Sequence, residues 1–293
     1  MRIFVTGASG WIGSTVVPEL ISAGHKVLGL ARSDASAAAV ADRGAEVLRG
    51  DLNDTDVLRA GALDCDGVIH LAFVVPSMTE AATRTDAKAI ETFATSLAGS
   101  GKPLVISGAT LVTPGRPATE RDELVAAGPI AARIANMRVA LAAADAGVRT
   151  CLVMPPRSVH GQGERHGFIP QLIAMARAKG VSGYLGDGAN RWPAVHVKDA
   201  ARLYRLTVEQ APAGAVLNAV GDEGVPVRQI AEAIGRKLNL PAESLPAEEY
   251  GGMLVPLLST DMPASSAITR ELLGWQPSHP GLIEDIEEGH YFV

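Results

Sequence analysis

A doubly wound α/β architecture, a parallel sheet covered by helices on both faces, is predicted by three features of this sequence. Short β-branched runs alternate with helix-like stretches through the first half of the chain. The runs are almost continuously apolar, as in strands buried on both faces, and do not alternate between apolar and polar. The first of them leads at once into a glycine-spaced turn, "TGASGWIG", and then into a helix-like segment. The predicted strands cover residues 3–6, 26–30, 46–49, 67–71, 103–107 and 149–154. Small and apolar residues over 131–146 predict a crossover helix, with Gly147 placed to cap it. Pro18 lies inside the first helix, removes one N–H and predicts a kink there.

Beyond Met154 the pattern changes. Prolines and glycines crowd "PPRSVHGQGERHG", helix-like "FIPQLIAMARAKG" follows, and then comes the turn-rich "YLGDGANRWP". A second, smaller C-terminal lobe is predicted to begin here. Ile230, Ile234 and Leu238 recur at helical spacing behind Val227, and "ITRELLG" ends on a glycine stop. The stretches 194–206 and 214–219 look like elements returned to the first sheet. The expected organisation is therefore a dinucleotide-binding domain over 1–153 completed by 194–220, with 154–193 and 221–293 forming a substrate-binding lobe. There is no internal repeat or low-complexity linker.

Composition narrows the function classes. Of 293 residues 47% are hydrophobic and 20% charged, which suits a folded core rather than a disordered chain. Lys and Arg number 26 against 32 Asp and Glu, a net charge of −6 with no basic run, so nucleic acid is not an expected partner. Cys65 and Cys151 form no CxxC pair, suggesting neither a disulfide framework nor a cysteine zinc site. No apolar run approaches the roughly 18 residues a membrane span needs. Met1 leads straight into a strand without a leader pattern, so a cytoplasmic location is expected, and the "NDT" acceptor at Asn53 then has no chemistry to report.

The glycine turn is the strongest functional signal. Gly7, Gly10 and Gly13 are spaced three apart between a strand and a helix, where a pyrophosphate approaches only if the turn lacks Cβ atoms. Gly7 and Gly10 supply clearance, Gly13 lets helix and strand pack, and Ser9, Trp11 and Ile12 complete the turn. Nineteen residues past Gly13, where an NAD-preferring site places an acid, stands Arg32, with Ser33 beside it. A guanidinium and a hydroxyl there suit a ribose 2′-phosphate, so NADP is favoured over NAD; the alternative is a solvated strand-end arginine near Asp34. Asp51 and Leu52 follow the third strand, where adenine would lie, although Asp51 also suits a helix N-cap. His70, Leu71 and Ala72 end the fourth strand at the same edge, with Ala72 small enough to let a dinucleotide pass. His70 itself is either part of that edge or a packed core histidine.

Together these motifs resemble the extended and atypical short-chain dehydrogenase/reductases, the Rossmann-fold branch that includes NAD(P)-dependent sugar epimerases, dehydratases and NmrA-like proteins. The likeness runs over nearly the whole chain. "VTGASGWIG" is similar to the family's cofactor turn and "GDLND" to its adenine motif. "VMPPRSVHGQG", with Pro155 and Pro156, is similar to its nicotinamide segment, and "GDGANRWPAVHVKDAARLY" to a late strand-helix element. The resemblance implies a catalytic YxxxK pair, but none of Tyr184, Tyr204, Tyr250 and Tyr291 is followed by Lys four residues on. The family's Tyr and Lys positions fall near Pro129 and Arg133, and its Ser position on Gly108, flanked by Ser107 and Thr110. The family's helix Asn is matched by Asp86, which either accepts a proton or caps its helix. Ser107, Thr110, Asp86 and Arg133 are thus the candidate catalytic residues, Ser107 first, and the helices over 78–100 and 128–146 suggest a homodimer by analogy.

In the second lobe His160, His166, Tyr184 and Trp192 are expected to line a substrate cavity, with Arg157 and Arg191 nearby. His160 and His166 lack a third ligand at metal spacing, so no metal is expected. Either histidine also reads as a loop or core residue, and Trp192 as packing. His196 reads as a tie between lobes, and Cys151 as core. No P-loop, HExxH or GxSxG is present. Two functions follow: an NADP-dependent oxidoreductase or epimerase-like enzyme acting on a small carbonyl or hydroxyl substrate, or an NmrA-like dinucleotide sensor without turnover.

Overall fold

A computed structural model describes residues 1–73, 79–126, 130–250 and 254–293. The first domain alternates as predicted: β1 (Arg2–Thr6), α1 (Gly13–Ser22), β2 (Lys26–Ala31), α2 (Asp34–Ala41), β3 (Glu46–Arg49), α3 (Thr55–Asp64), β4 (Gly67–His70), α4 (Glu80–Leu97), β5 (Pro103–Ser107), α5 (Ala131–Ala142) and β6 (Arg149–Met154). A 3₁₀ turn over Ala143–Ala146 extends α5 and ends on Gly147 in the left-handed region, at φ +76°. β7 (Ser158–His160), α6 (Phe168–Lys179), β8 (Ser182–Tyr184), β9 (Arg191–His196), α7 (Val197–Gln210), β10 (Ala215–Asn218), β11 (Asp222–Pro226) and α8 (Val227–Leu238) follow. The chain continues through β12 (Ala242–Ser244), α9 (Leu254–Ser259), α10 (Ala267–Leu273) and α11 (Leu282–Glu288).

Seven parallel strands form the main sheet in the order β3-β2-β1-β4-β5-β6-β10. Strand order reverses between β1 and β4, whose ends meet as Thr6 opposite His70. In doubly wound sheets the crevice beyond such a reversal is where ligands bind. Both faces are dry. Ile3, Val5, Val105, Val153 and Leu217 pack under α1 and α7, while Phe4, Val68, Leu104, Ile106 and Leu152 pack under α3, α4 and α5. This division explains the continuous apolar runs: each strand supplies two cores, so neither face is left polar.

The remaining strands form separate small sheets, β11-β9-β7 and β12-β8. Residues 194–196 therefore do not extend the main sheet as their sequence suggested, since β9 pairs with β7 and β11; α7 and Val195 of β9 pack into its core, and β10 joins the sheet. Conversely, Leu273 and Trp275 from the C-terminal region belong to the first core, with Trp275 Nε1 donating to the Asp199 carbonyl at 3.0 Å. A third core gathers Ile169, Ile173, Trp192, Ile230, Ile234 and Ile286 from β9, α6, α8 and α11.

Across Pro18, α1 runs without a break. The Ser14 carbonyl that Pro18 leaves without its helical donor accepts Arg43 Nε at 3.2 Å, so the missing bond is replaced from outside the helix. Arg43→Ala, which also removes the Arg43 bond to the Ala39 carbonyl, should then lower unfolding free energy by about 1–2 kcal/mol, more than a typical surface change. An unchanged urea midpoint would refute that account.

Candidate active site

The turn from β1 to α1 is shaped by missing side chains. Gly7 holds φ +69°, and a Cβ there would stand 2.7 Å from Ala72 N and 2.9 Å from the Leu71 carbonyl carbon. At Gly13 a Cβ would fall 2.9 Å from Ala8 Cα and collide with the Gly7 carbonyl. Gly10 N donates to Gly7 O at 2.9 Å, and Ser9 and Gly10 are exposed. The result is a bare backbone surface at the N-terminus of α1, against Leu71 and Ala72, with the shape and polarity a pyrophosphate requires. Trp11 leaves this surface clear: its Nε1 donates to the Val159 carbonyl at 2.7 Å, and its ring lies beside Gly163. Ile12 packs against the first core.

At the β2 end of the same sheet edge, Arg32 follows the strand with 80% of its side chain exposed, 3.9 Å from Asp51. Ser33 is the N-cap of α2, accepting Ser36 N at 3.2 Å. Asp34, expected as a neighbour of Arg32, is engaged by Arg49, which also donates to the Ser33 carbonyl at 2.7 Å. Asp51 is not a helix cap: its Oδ1 accepts Asn53 N at 3.0 Å in an Asx turn, and Asp54 caps α3. Leu52 packs on the second core. Arg49 was missed because strand-end basic residues are common; its place opposite Ala31 in the parallel register brings it to Arg32 and Ser33.

The candidate catalytic residues divide between the two faces of the sheet. Asp86 lies within α4, whose cap is Thr79, so the capping role is excluded. Its Oδ2 accepts Asn136 Nδ2 at 2.7 Å and its Oδ1 faces His70 Nε2 at 3.3 Å. His70 Nδ1 is 2.6 Å from Thr6 Oγ1, so His70 is the middle of a buried network rather than plain packing. Burial works against the Asp86 charge, but the bonds from His70 and Asn136 and the nearby Arg133 hold its carboxyl below the usual carboxylate range. Arg133, on α5, donates through Nη2 to the Ser107 and Gly108 carbonyls at 3.1 and 3.0 Å and stacks on Phe73, 3.8 Å from the ring centre. Burial lowers the pKa of Arg133, the Asp86 charge opposing, and its Nε is buried without a partner among the described residues. Asn136 escaped sequence reasoning, though its position one helical turn after Arg133 was a usable signal.

Ser107 and Thr110 do not join this group. The Ser107 hydroxyl is 2.7 Å from the phenol of Tyr204, which is fully buried in α7; along β5 it shares the α7 side with Val105, opposite Leu104 and Ile106. Burial pushes the Tyr204 phenol upward. Thr110 is buried, donating to the Pro155 carbonyl at 2.9 Å, and so braces the segment that contains Pro155 and Pro156. A side chain at Gly108 would strike the Met137 sulfur at 2.6 Å. Pro129, Met78 and Gly128 lie outside the described residues.

The second lobe also corrects expectations. His160 is fully buried, with Nδ1 2.9 Å from Asp285, and lines no open cavity. Tyr184 and Trp192 belong to the lobe's core, while His166 is exposed on a loop. Arg157 lies over the Trp192 ring at 5.1 Å, and burial lowers its pKa to about 10. Arg191 is held by Asp261, its Nη2 2.8 Å from Oδ2. His196 caps α7 by accepting Lys198 N and stacks on His279 at 4.7 Å. His196, Asp199 and His279 are close enough to hold an ion, but Asp199 is already engaged by Ser278 N, His279 N and His279 Nδ1.

Because the folded-state pKa of Asp86 is depressed, its contribution to stability is present above the unfolded carboxylate value and disappears as pH falls through the folded one. Asp86→Asn should therefore lower Tm at pH 7, and the difference from the unaltered protein should close below about pH 4. Parallel melting curves across that range would show the offset persisting in acid if the account is wrong.

Comparison with known proteins agrees with this geometry. The model of the NAD dependent epimerase/dehydratase family matches residues 3–219. An uncharacterized protein of Saccharomyces cerevisiae is 44% identical over 99% of both chains, and one of Schizosaccharomyces pombe is 43% identical over 100% of both. Among solved structures, MoeE5 in complex with UDP-glucuronic acid and NAD superposes with a TM-score of 0.78 at 25% identity, covering 98% of this chain and 96% of its own. With a glycine cradle at the strand-order reversal, a bare path past Ala72 and a family match over most of its length, the chain belongs to the NAD dependent epimerase/dehydratase family.

Proposed function

We propose that this protein is an NADP-dependent oxidoreductase or epimerase-like enzyme that acts on a small carbonyl or hydroxyl substrate without a YxxxK pair. The observation that carries the reading is the cofactor bed: a cradle that admits no Cβ at Gly7 or Gly13, ending at Arg32 and Ser33 with Arg49 alongside. Bound NADP supplies hydride donation or acceptance at the nicotinamide. The protein's own residues bind and orient. Backbone amides of Ser9, Trp11, Ile12 and Gly13 hold the pyrophosphate, that of Gly10 being engaged by the Gly7 carbonyl, and Arg32 and the Ser33 hydroxyl hold the 2′-phosphate. Asp51 and Leu52 border the adenine, and Pro155 and Pro156, braced by Thr110, border the nicotinamide. Arg133 supplies positive charge beside the reacting oxygen in place of the family's phenol and lysine, while Asp86, anchored by His70 and Asn136, balances that charge and fixes α4 against α5. The relatives' substrates extend the range to a sugar hydroxyl, since MoeE5 is described with UDP-glucuronic acid. A cytoplasmic site suits Cys65 and Cys151, both buried and unpaired.

A positioned acid or base contributes about 10² to 10⁴ in rate. Hydride transfer needs alignment above all, so turnover survives loss of the phenol at reduced speed. The second reading, a dinucleotide sensor without turnover, rests on the commitment of the Ser107 and Thr110 hydroxyls to Tyr204 and Pro155. Calorimetry with NADP⁺, NADPH and NAD⁺, then an absorbance screen at the nicotinamide band against carbonyl compounds and nucleotide sugars, separates the two. Turnover establishes the enzyme; silence with one redox form bound at least tenfold tighter establishes the sensor.

Two variants sharpen the reading. Arg32→Asp should weaken NADP⁺ binding by roughly ten- to a hundredfold while leaving NAD⁺ within a few-fold, the size of one or two lost charge-assisted bonds; equal loss of both would remove Arg32 from the phosphate site. Arg133→Met should lower kcat/KM by about tenfold or more with NADP⁺ affinity nearly kept, and unchanged kcat/KM would show that its charge does not act on the reaction.

A further inference from the structure

The C-terminal tail carries a buried polar cluster outside the dinucleotide site. Tyr291, just beyond α11, places its hydroxyl 2.7 Å from Glu164 Oε2 and accepts the Gly161 N–H at 3.0 Å. Asp285 of α11 bonds His160 at 2.9 Å and His290 at 3.0 Å, and lies 3.3 Å from the Tyr291 hydroxyl. Glu164 is 8% exposed, and burial pushes its carboxyl up to about 7, a costly group for a surface turn. It also fills the space over Gly167, where a Cβ would collide with the carboxylate. The whole cluster grips one segment, residues 160–167. The cofactor turn meets this segment and the strand before it: Gly163, at φ +94°, faces the ring of Trp11, which lies between Gly10 and Gly13 and donates to the carbonyl of Val159 in β7 at 2.7 Å.

Resting on the dinucleotide reading above, we propose that Tyr291 and Glu164 are positioning residues of the cofactor site, holding the 160–167 loop against Trp11 so that the pyrophosphate cradle keeps its shape. The tail reaches the cofactor only through other residues. One buried hydroxyl joins the loop's backbone to its carboxylate, Gly163 of the loop lies against the indole ring, and the indole N–H ties the cradle to β7 directly before the loop. Removing either link lets the Gly7–Gly13 amides relax before a ligand can order them, which weakens binding without touching a ligand contact.

The test uses the full chain with NADP⁺ as probe. Tyr291→Phe, which keeps the ring, and Glu164→Gln should each weaken NADP⁺ binding about five- to twentyfold in calorimetry, with Tm shifted by only a few degrees. Trp11→Phe should do the same, and the Trp11→Phe/Tyr291→Phe pair should bind no more weakly than its worse member, because both cut one chain of contacts. Hydrogen exchange without cofactor should speed up in Tyr291→Phe both at residues 161–167 and at residues 8–12. Faster exchange confined to 161–167, or unaltered NADP⁺ affinity in both Tyr291→Phe and Glu164→Gln, overturns the proposal while the cofactor reading stands. If the unaltered protein binds neither NADP⁺ nor NAD⁺, both fall together.

Discussion

Everything at the sheet's reversal point depends on the exclusion of Cβ atoms. β1 and β4 end side by side there, and Gly7 approaches the Leu71–Ala72 backbone so closely that no alanine fits, while Gly13 sits against the Gly7 carbonyl. A side chain at Gly7 would press on the Leu71–Ala72 backbone, and one at Gly13 would force α1 away from the Gly7 carbonyl. The same exclusion leaves amides facing outward at a helix N-terminus, where an anion gains both hydrogen bonds and the favourable end of the helix dipole. Steric necessity and electrostatics thus select the same residues.

A second constraint is the division of polar groups between the sheet's faces. On the α4–α5 side, Thr6, His70, Asp86 and Asn136 form a connected set in which the carboxylate accepts from the histidine and the amide, and the Arg133 charge lies nearby. A carboxylate engaged in this way acts as a fixed charge, since each donor it accepts favours the anion over proton uptake. Across the sheet, Ser107 and Tyr204 satisfy one another in an otherwise apolar layer. A buried phenol without a partner would cost about 1–3 kcal/mol, which ties Ser107 to Tyr204 regardless of any catalytic role. The strand's period of two assigns the sides: one residue's shift along β5 moves a hydroxyl from one layer to the other.

The smaller lobe is joined to the first domain by more than a linker. Trp275 returns to the first core, and Trp11 crosses to β7. Histidines that looked available in the sequence are used for this assembly. His160 is bonded to Asp285, and His196, stacked on His279, has its pKa lowered to about 4 chiefly by burial, so it caps α7 as a neutral imidazole.

The sequence alone determined the local elements. Continuous apolar runs at β1 to β6, helical spacing in α6 and α8, and glycine stops at Gly147, Gly180 and Gly274 each follow from burial on two faces or from a left-handed φ, and both leave marks within a few residues. The glycine turn was legible for the same reason. Only the tertiary structure decided what polar side chains do, because a hydroxyl or imidazole takes its role from a partner distant in sequence: Tyr204 for Ser107, Asp285 for His160, Pro155 for Thr110, Arg49 for Asp34. Tyr184 and Trp192 carried no mark separating a cavity wall from a core, since both uses call for a large aromatic and differ only in whether α6 and α8 close over it.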